Sequence, residues 1–256
     1  MAQQESILKL KGKIGDLTFY ETKNGYQARQ VKGVSAERIA TEPRYQRTRE
    51  NNAEFAAVAA ATKRLRDTLR PMILLTHDPK MSARLFSRVM RMVKADAVSD
   101  RGERRVQPNN LSLLGGFRFN VAASLTDTLF VKRALTVDRE AGTAQVDLPS
   151  FKPGLAIAAP TGATHFQFSF GVAALDFEAQ GTDNLSELSM VESEIGVLLQ
   201  ADAFPSMTLT TALPPESELP LVVLFGVSFL QQVNNKQYAL NNGAYNPIDI
   251  IQIDVV

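Results

Sequence analysis

The sequence predicts an α+β protein. An N-terminal β-ribbon and a basic helical segment occupy residues 1–106, and an acidic, immunoglobulin-like β-sandwich occupies residues 107–256. Three observations carry this prediction. Apolar residues recur every three to four positions between about Pro43 and Lys94, and every second position from about Leu111 onward. Clusters of Gly, Pro, Asn and Asp punctuate the second half at strand-length intervals. The formal net charge of +1 conceals a split at the same place: 22 Lys and Arg against 12 Asp and Glu in residues 1–106, but 6 against 15 in residues 107–256. Halves of opposite sign suggest halves with different jobs.

The ribbon begins with Ile7, Leu8 and Leu10 among lysines, and continues with Leu17, Phe19 and Tyr20. Asn24-Gly25 is the best hairpin signal in the chain, because a type I′ turn needs positive φ at both central residues. Tyr26, Ala28 and Gln30 then share one face, with Gln27, Arg29 and Val31 on the other. Two or three strands of this size cannot bury enough surface by themselves. Ser35 is a cap for a short helix "AERIA", with Glu37 in its first turn.

A longer helix is expected from about Pro43 or Arg47 to Arg70. Its apolar stripe is Phe55, Val58, Leu65 and Leu69, with Thr62 filling the missing step, and Pro71 ends it. Asp78-Pro79 reads as the cap and first turn of a second helix. There Met81, Leu85, Val89, Met92 and Val93 form one stripe, and Arg84, Arg88 and Arg91 another. In the second half "FRFNV", "LTVD", "AQVDL", "HFQFSFGV", "MTLTTAL", "LVVLFGVSF" and "DIIQIDVV" read as strands. Turns are expected at Glu140–Gly142, Asn234-Asn235 and Asn242-Gly243, and Phe166, Phe168 and Phe170 are expected to fill the core from one face.

Several kinds of chemistry are excluded or disfavoured. The chain has no cysteine, so disulfides, thiol nucleophiles and cysteine-ligated metal centres are ruled out. Its two histidines, His77 and His165, lack any metal-ligand spacing. Glu192 and Glu194 read as a solvated strand face, not as an acid/base pair drawn from separate elements. Gly115-Gly116 matches no phosphate-binding loop, and no serine lies in G-x-S-x-G. No enzyme activity, cofactor or small-molecule substrate is expected. The longest apolar run, residues 219–230, falls short of the ~20 residues of a spanning helix, so no membrane insertion is expected. With no signal-peptide core at the N-terminus, a cytoplasmic location is the default expectation, with an extracellular one after release or unconventional export as the alternative.

The patterns "LKGKIGDLTFYETKNGYQAR" and "GVSAERIATEPRYQRTREN" resemble an uncharacterised family of small Bacteroidota proteins. The resemblance covers the first fifty residues, and the remainder in outline. It implies a short N-terminal ribbon, a helical segment and a C-terminal β domain. It carries no known activity, so it assigns no functional residue.

What remains is charge. Arg44, Arg47 and Arg49 fall within eight positions, followed by Arg64, Arg66, Arg70, Arg84, Arg88 and Arg91 on the helices. One use is pairing with the acidic half of another subunit, in heterologous contacts that close into rings or run on as filaments. The ribbon, with Leu10, Leu17 and Phe19 on its apolar face, would then serve as an arm that adds to a neighbour's sheet. The C-terminal strand is expected to pair within its own subunit. The sequence thus favours a non-enzymatic homo-oligomer or polymer of filament, tube or phage-like form. The alternative is a nucleic-acid-associated protein whose arginine-rich helices neutralise phosphates.

Overall fold

A computed structural model describes residues 2–5, 7–30, 33–178, 185–213 and 215–255. The fold is α+β, with mixed helices and antiparallel sheets. The chain divides into two compact units, Met1–Asn51 and Asn52–Val256.

In the first unit, β1 (Ala2–Gln3), β2 (Gly12–Ile14), β3 (Leu17–Thr22) and β4 (Gly25–Gln30) form one antiparallel sheet in the order β1-β4-β3-β2. The hairpin differs from expectation by one residue. Thr22 pairs with Gly25, so Lys23-Asn24 are the turn centre, and only Gly25 takes a positive φ, +101°. Asn24 keeps a negative φ because Thr22 Oγ1 accepts from its N–H and donates to the Gly25 carbonyl, closing the turn locally. Helix α1 (Ala36–Thr41) starts as expected, with Ser35 accepting from the Arg38 N–H. A 3₁₀ turn at Pro43–Tyr45 leads into α2 (Gln46–Thr68). Ser6, Val31 and Lys32 of the expected ribbon lie outside the described residues.

In the second unit the buried stripe of α2 is Glu54, Val58, Thr62 and Leu65, with Leu69 buried just beyond the helix. Phe55, expected in that stripe, is 56% exposed. A polar residue takes its place because Glu54 accepts from the Gly102 N–H at 3.1 Å and pairs with Arg104 at 3.8 Å. The helix ends at Thr68, and Pro71 falls in the first turn of the short α3 (Arg70–Ile73), where its missing N–H costs nothing. Helix α4 (Met81–Lys94) buries all five residues of its predicted stripe.

The strands follow a 3₁₀ segment (Pro108–Leu114) and a short α5 (Leu125–Thr128). They are β5 (Ala134–Asp138), β6 (Thr143–Leu148), β7 (His165–Ala174), β8 (Glu187–Glu192), β9 (Gly196–Val197), β10 (Met207–Ala212), β11 (Leu221–Val233), β12 (Lys236–Ala239) and β13 (Ile248–Asp254), with a short α6 (Pro153–Ala156) before β7. β10-β6-β5 make a small sheet, and β12-β11-β7-β8 the spine of a larger one, with β13 on β11 and β9 on β7. The Asn234-Asn235 turn joins β11 to β12 with both residues at positive φ (49° and 62°). "FRFNV" is not a full strand. It contributes a single bridge, Arg118 to Asp249.

The pairing of β7 with β11 gives the large sheet two apolar faces. Phe166, Phe168, Phe170 and Val172 stand opposite Phe229, Val227, Phe225 and Val223, and this face shares one core with Val146 and Leu148 of β6 and Leu209 of β10. Ala173, Val222 and Leu224, with Ile248 and Ile250 of β13, point the other way and share a second core with α2, α3 and α4. The unit is therefore layered: helices, large sheet, small sheet. This bears on the boundary expected between residues 106 and 107. The compact unit begins at Asn52 instead, because the helices before residue 106 cover a sheet face that is as apolar as the Phe-rich one.

The loop after α4 is organised by buried Asp96. Its carboxylate accepts from the N–H groups of Val98 and Ser99 on one oxygen, and from the Arg105 N–H and Gln107 Nε2 on the other, all at 3.0–3.1 Å. Burial alone would push this carboxyl up, but the hydrogen bonds from Ser99, Arg105 and Gln107 outweigh it and hold the group well below the usual carboxylate range. A folded value below the unfolded one means stability that is complete above about pH 4 and is lost as pH falls toward the folded value. Asp96→Asn sets an amide N–H against one pair of donors and is expected to cost about 2 kcal/mol at neutral pH. Urea unfolding of both proteins should show that gap narrowing as the pH drops below about 4.

Candidate functional site

The cationic residues of α4 are gathered by the same periodicity that buries its apolar stripe. With Met81, Leu85, Val89, Met92 and Val93 packed inward, Arg84, Arg88 and Arg91 follow at i, i+4 and i+7 on another face. Lys80 precedes the helix and extends the row, so the four cations span about 16 Å at 1.5 Å per residue. Beside them runs Gly116–Arg118, held to β13 by Gly116 N–H to Ile250 O (3.1 Å), Ile250 N–H to Phe117 O (3.0 Å) and Phe119 N–H to Ile248 O (2.8 Å). Phe117 and Phe119 turn inward and are buried, and Arg118 between them is exposed. The result is an open groove of about 650 Å³ lined by Lys80, Arg84, Arg88, Arg91, Gly116 and Arg118 among others.

One wall of the groove is fixed in place. Arg84 pairs with Asp78, donates through Nη1 to the Arg118 carbonyl at 2.8 Å, and stacks on Phe117 at 5.1 Å. Asp78 does not cap α4, as the sequence suggested: Lys80 holds the cap position and no side chain bonds there. The carboxylate accepts instead from the N–H groups of Lys80 (2.7 Å) and Val121 (3.2 Å) and from Arg84. Burial raises this carboxyl, but those bonds and the Arg84 charge outweigh burial and lower it. Arg88 is half-buried and Arg91 exposed. Among the described residues neither side chain has a hydrogen bond or an ion pair. Gly116 adopts φ +67°, and a Cβ there would meet nothing within 4 Å, so the floor of the groove is open backbone.

The other arginines marked by the sequence have different surroundings. Arg44 pairs with Glu42 at 2.6 Å, Arg47 with Glu50 at 3.0 Å, and Arg49 donates to the carbonyls of Ile39 (2.8 Å) and Glu42 (3.0 Å). All three act locally within Met1–Asn51. Arg64 donates to the Asp176 carbonyl, while Arg66 and Arg70 are exposed. Leu10 and Leu17 are exposed at 44% and 43%, and Phe19 is half-buried. The sequence missed Lys80 and Arg118 as members of the groove. The alternation Phe117-Arg118-Phe119 was visible, but its register beside α4 was not.

His77 sits before α4 and His165 at the start of β7. Among the described residues no group of three or more His, Asp or Glu is placed to hold a metal ion, and no helix is long and apolar enough to cross a membrane. No family model, curated protein or solved structure matches the chain.

Proposed function

We propose that the protein is a non-enzymatic structural subunit that self-associates, its N-terminal unit acting as an arm that seats on the acidic β surface of a neighbouring copy. One observation carries this reading: from Ala2 to Asn51 no described residue is buried, although the segment forms four strands and a helix. A sheet needs at least one covered face to be stable. Here Ile7, Leu8, Ile14, Leu10 and Leu17 all remain more than 40% exposed. The segment carries 10 Lys and Arg against 6 Asp and Glu, and residues 107–256 carry the opposite excess, which matches arm to acceptor. β5 and β12 end their sheets, so strand addition has edges to use. An arm and an acceptor at different places make a heterologous contact that propagates.

The acceptor is read here as an immunoglobulin-like sandwich. The two antiparallel sheets sharing one Phe-rich core support that reading, and the helices on the outer face of the larger sheet are an addition to it.

The test is sedimentation velocity of the full chain and of a chain lacking residues 1–32. The full chain is expected to sediment well above its 28.1 kDa monomer, and the truncated one as a monomer with an unchanged melting temperature. A monomeric full chain, or a destabilised truncation that still assembles, would overturn the proposal.

A further inference from the structure

We infer that the groove between α4 and Gly116–Arg118 binds single-stranded nucleic acid through its phosphates, a second activity beside self-association. Arg88 and Arg91 carry guanidinium groups with no partner in the described protein, and Lys80 and Arg118 flank them along the same open trough. Arginine forks suit phosphate oxygens bidentately, and the ~16 Å row spans several consecutive phosphates of an extended strand.

Among the described residues that line it, the groove has no exposed aromatic ring. Phe117, the ring in its wall, is buried beneath Arg84. Binding therefore rests on the backbone and is indifferent to base sequence. A duplex fits poorly. The opposite side of α4 is packed into the core, and Gly116–Arg118 with Val121 stands beside its cationic face. The helix is thus not a free ridge of the kind that enters a major groove about 12 Å wide. A single strand needs only the trough. The fixed Arg84–Asp78 pair and the open backbone at Gly116 let a strand lie close without rearrangement.

The experiment is fluorescence anisotropy of a short labelled oligothymidylate with the full chain across a salt series, repeated with the Arg88→Gln/Arg91→Gln variant. Neither arginine side chain has a partner among the described residues, so the variant is expected to fold, and its circular dichroism melt checks that. Neutralising about four phosphates predicts a log–log salt slope of about −3 for the wild type, falling to about −1.4 in the variant with an affinity loss of about tenfold or more. Unlabelled oligothymidylate should compete, whereas polyglutamate of equal charge should compete far less. No binding at low salt, equal competition by polyglutamate, or an unchanged slope in the folded variant would overturn the inference.

Discussion

A chain beginning at residue 107 is expected not to fold cooperatively, whereas one beginning at Asn52 melts in a single transition. Removing α2, α3 and α4 strips the helical cover from the sheet face formed by Ala173, Val222, Leu224, Ile248 and Ile250, each no more than 1% exposed in the intact protein, and leaves Leu111, Leu114, Phe117 and Phe119 of that core beside it. Full exposure of Val222, Leu224, Ile248 and Ile250 would forfeit about 6–12 kcal/mol at 1.5–3 kcal/mol per side chain, an upper bound for the fragment. That is comparable with the ~5–15 kcal/mol by which whole domains are stable. The Phe-rich face stays covered by the small sheet, so the fragment should keep β-type circular dichroism while binding hydrophobic dyes and yielding rapidly to protease. A sharp thermal transition from residues 107–256 alone would show that the helices are dispensable and that the two sheets are their own domain.

Phe168→Ala is expected to be the most damaging single substitution in the sheet core. Phe168 is fully buried, stands opposite Val227, and packs its ring 5.2 Å from Phe166, 5.6 Å from Phe225 and 6.1 Å from Phe151. Rings meeting from two strands and the segment after β6 leave little room for the site to collapse, so the loss should reach about 3–5 kcal/mol. For a unit of this size that lowers the melting temperature by roughly 10 °C. Phe55→Ala is the matched control. Phe55 is more than half exposed and touches the ring of Phe86 at 4.8 Å, so its removal should cost less than about 1 kcal/mol. Calorimetry of both variants gives the comparison. Equal shifts would mean that the buried ring network does not dominate the core.

Local signals were legible where a residue's own neighbours decide its state. The five-residue stripe of α4, the Ser35 cap, the Asn234-Asn235 turn and the inward Phe166, Phe168 and Phe170 are all as the sequence indicates. Each rests on a period or a turn preference that acts within a few residues. The candidate site was half legible: Arg84, Arg88 and Arg91 followed from helical spacing, but Lys80 and Arg118 did not. Of β8 only the strand face at Glu192 was noticed, and β12 escaped notice altogether. β8 mixes Glu and Ser with its apolar residues, and β12 is exposed at every position.

The sequence by itself determined most of the element types, the charge division and the lack of thiol chemistry, because composition and periodicity are properties of the chain. Only the tertiary structure decided which faces met. It put Glu54 into the core of α2 and Phe55 outside, since a loop N–H and Arg104 supplied that carboxylate with partners. It fused helices and both antiparallel sheets into one unit, since the large sheet is apolar on both faces and each must be covered. And it assembled the cationic groove by laying Gly116–Arg118 along β13, more than 120 residues on. Such pairings depend on long-range contacts that no local pattern records.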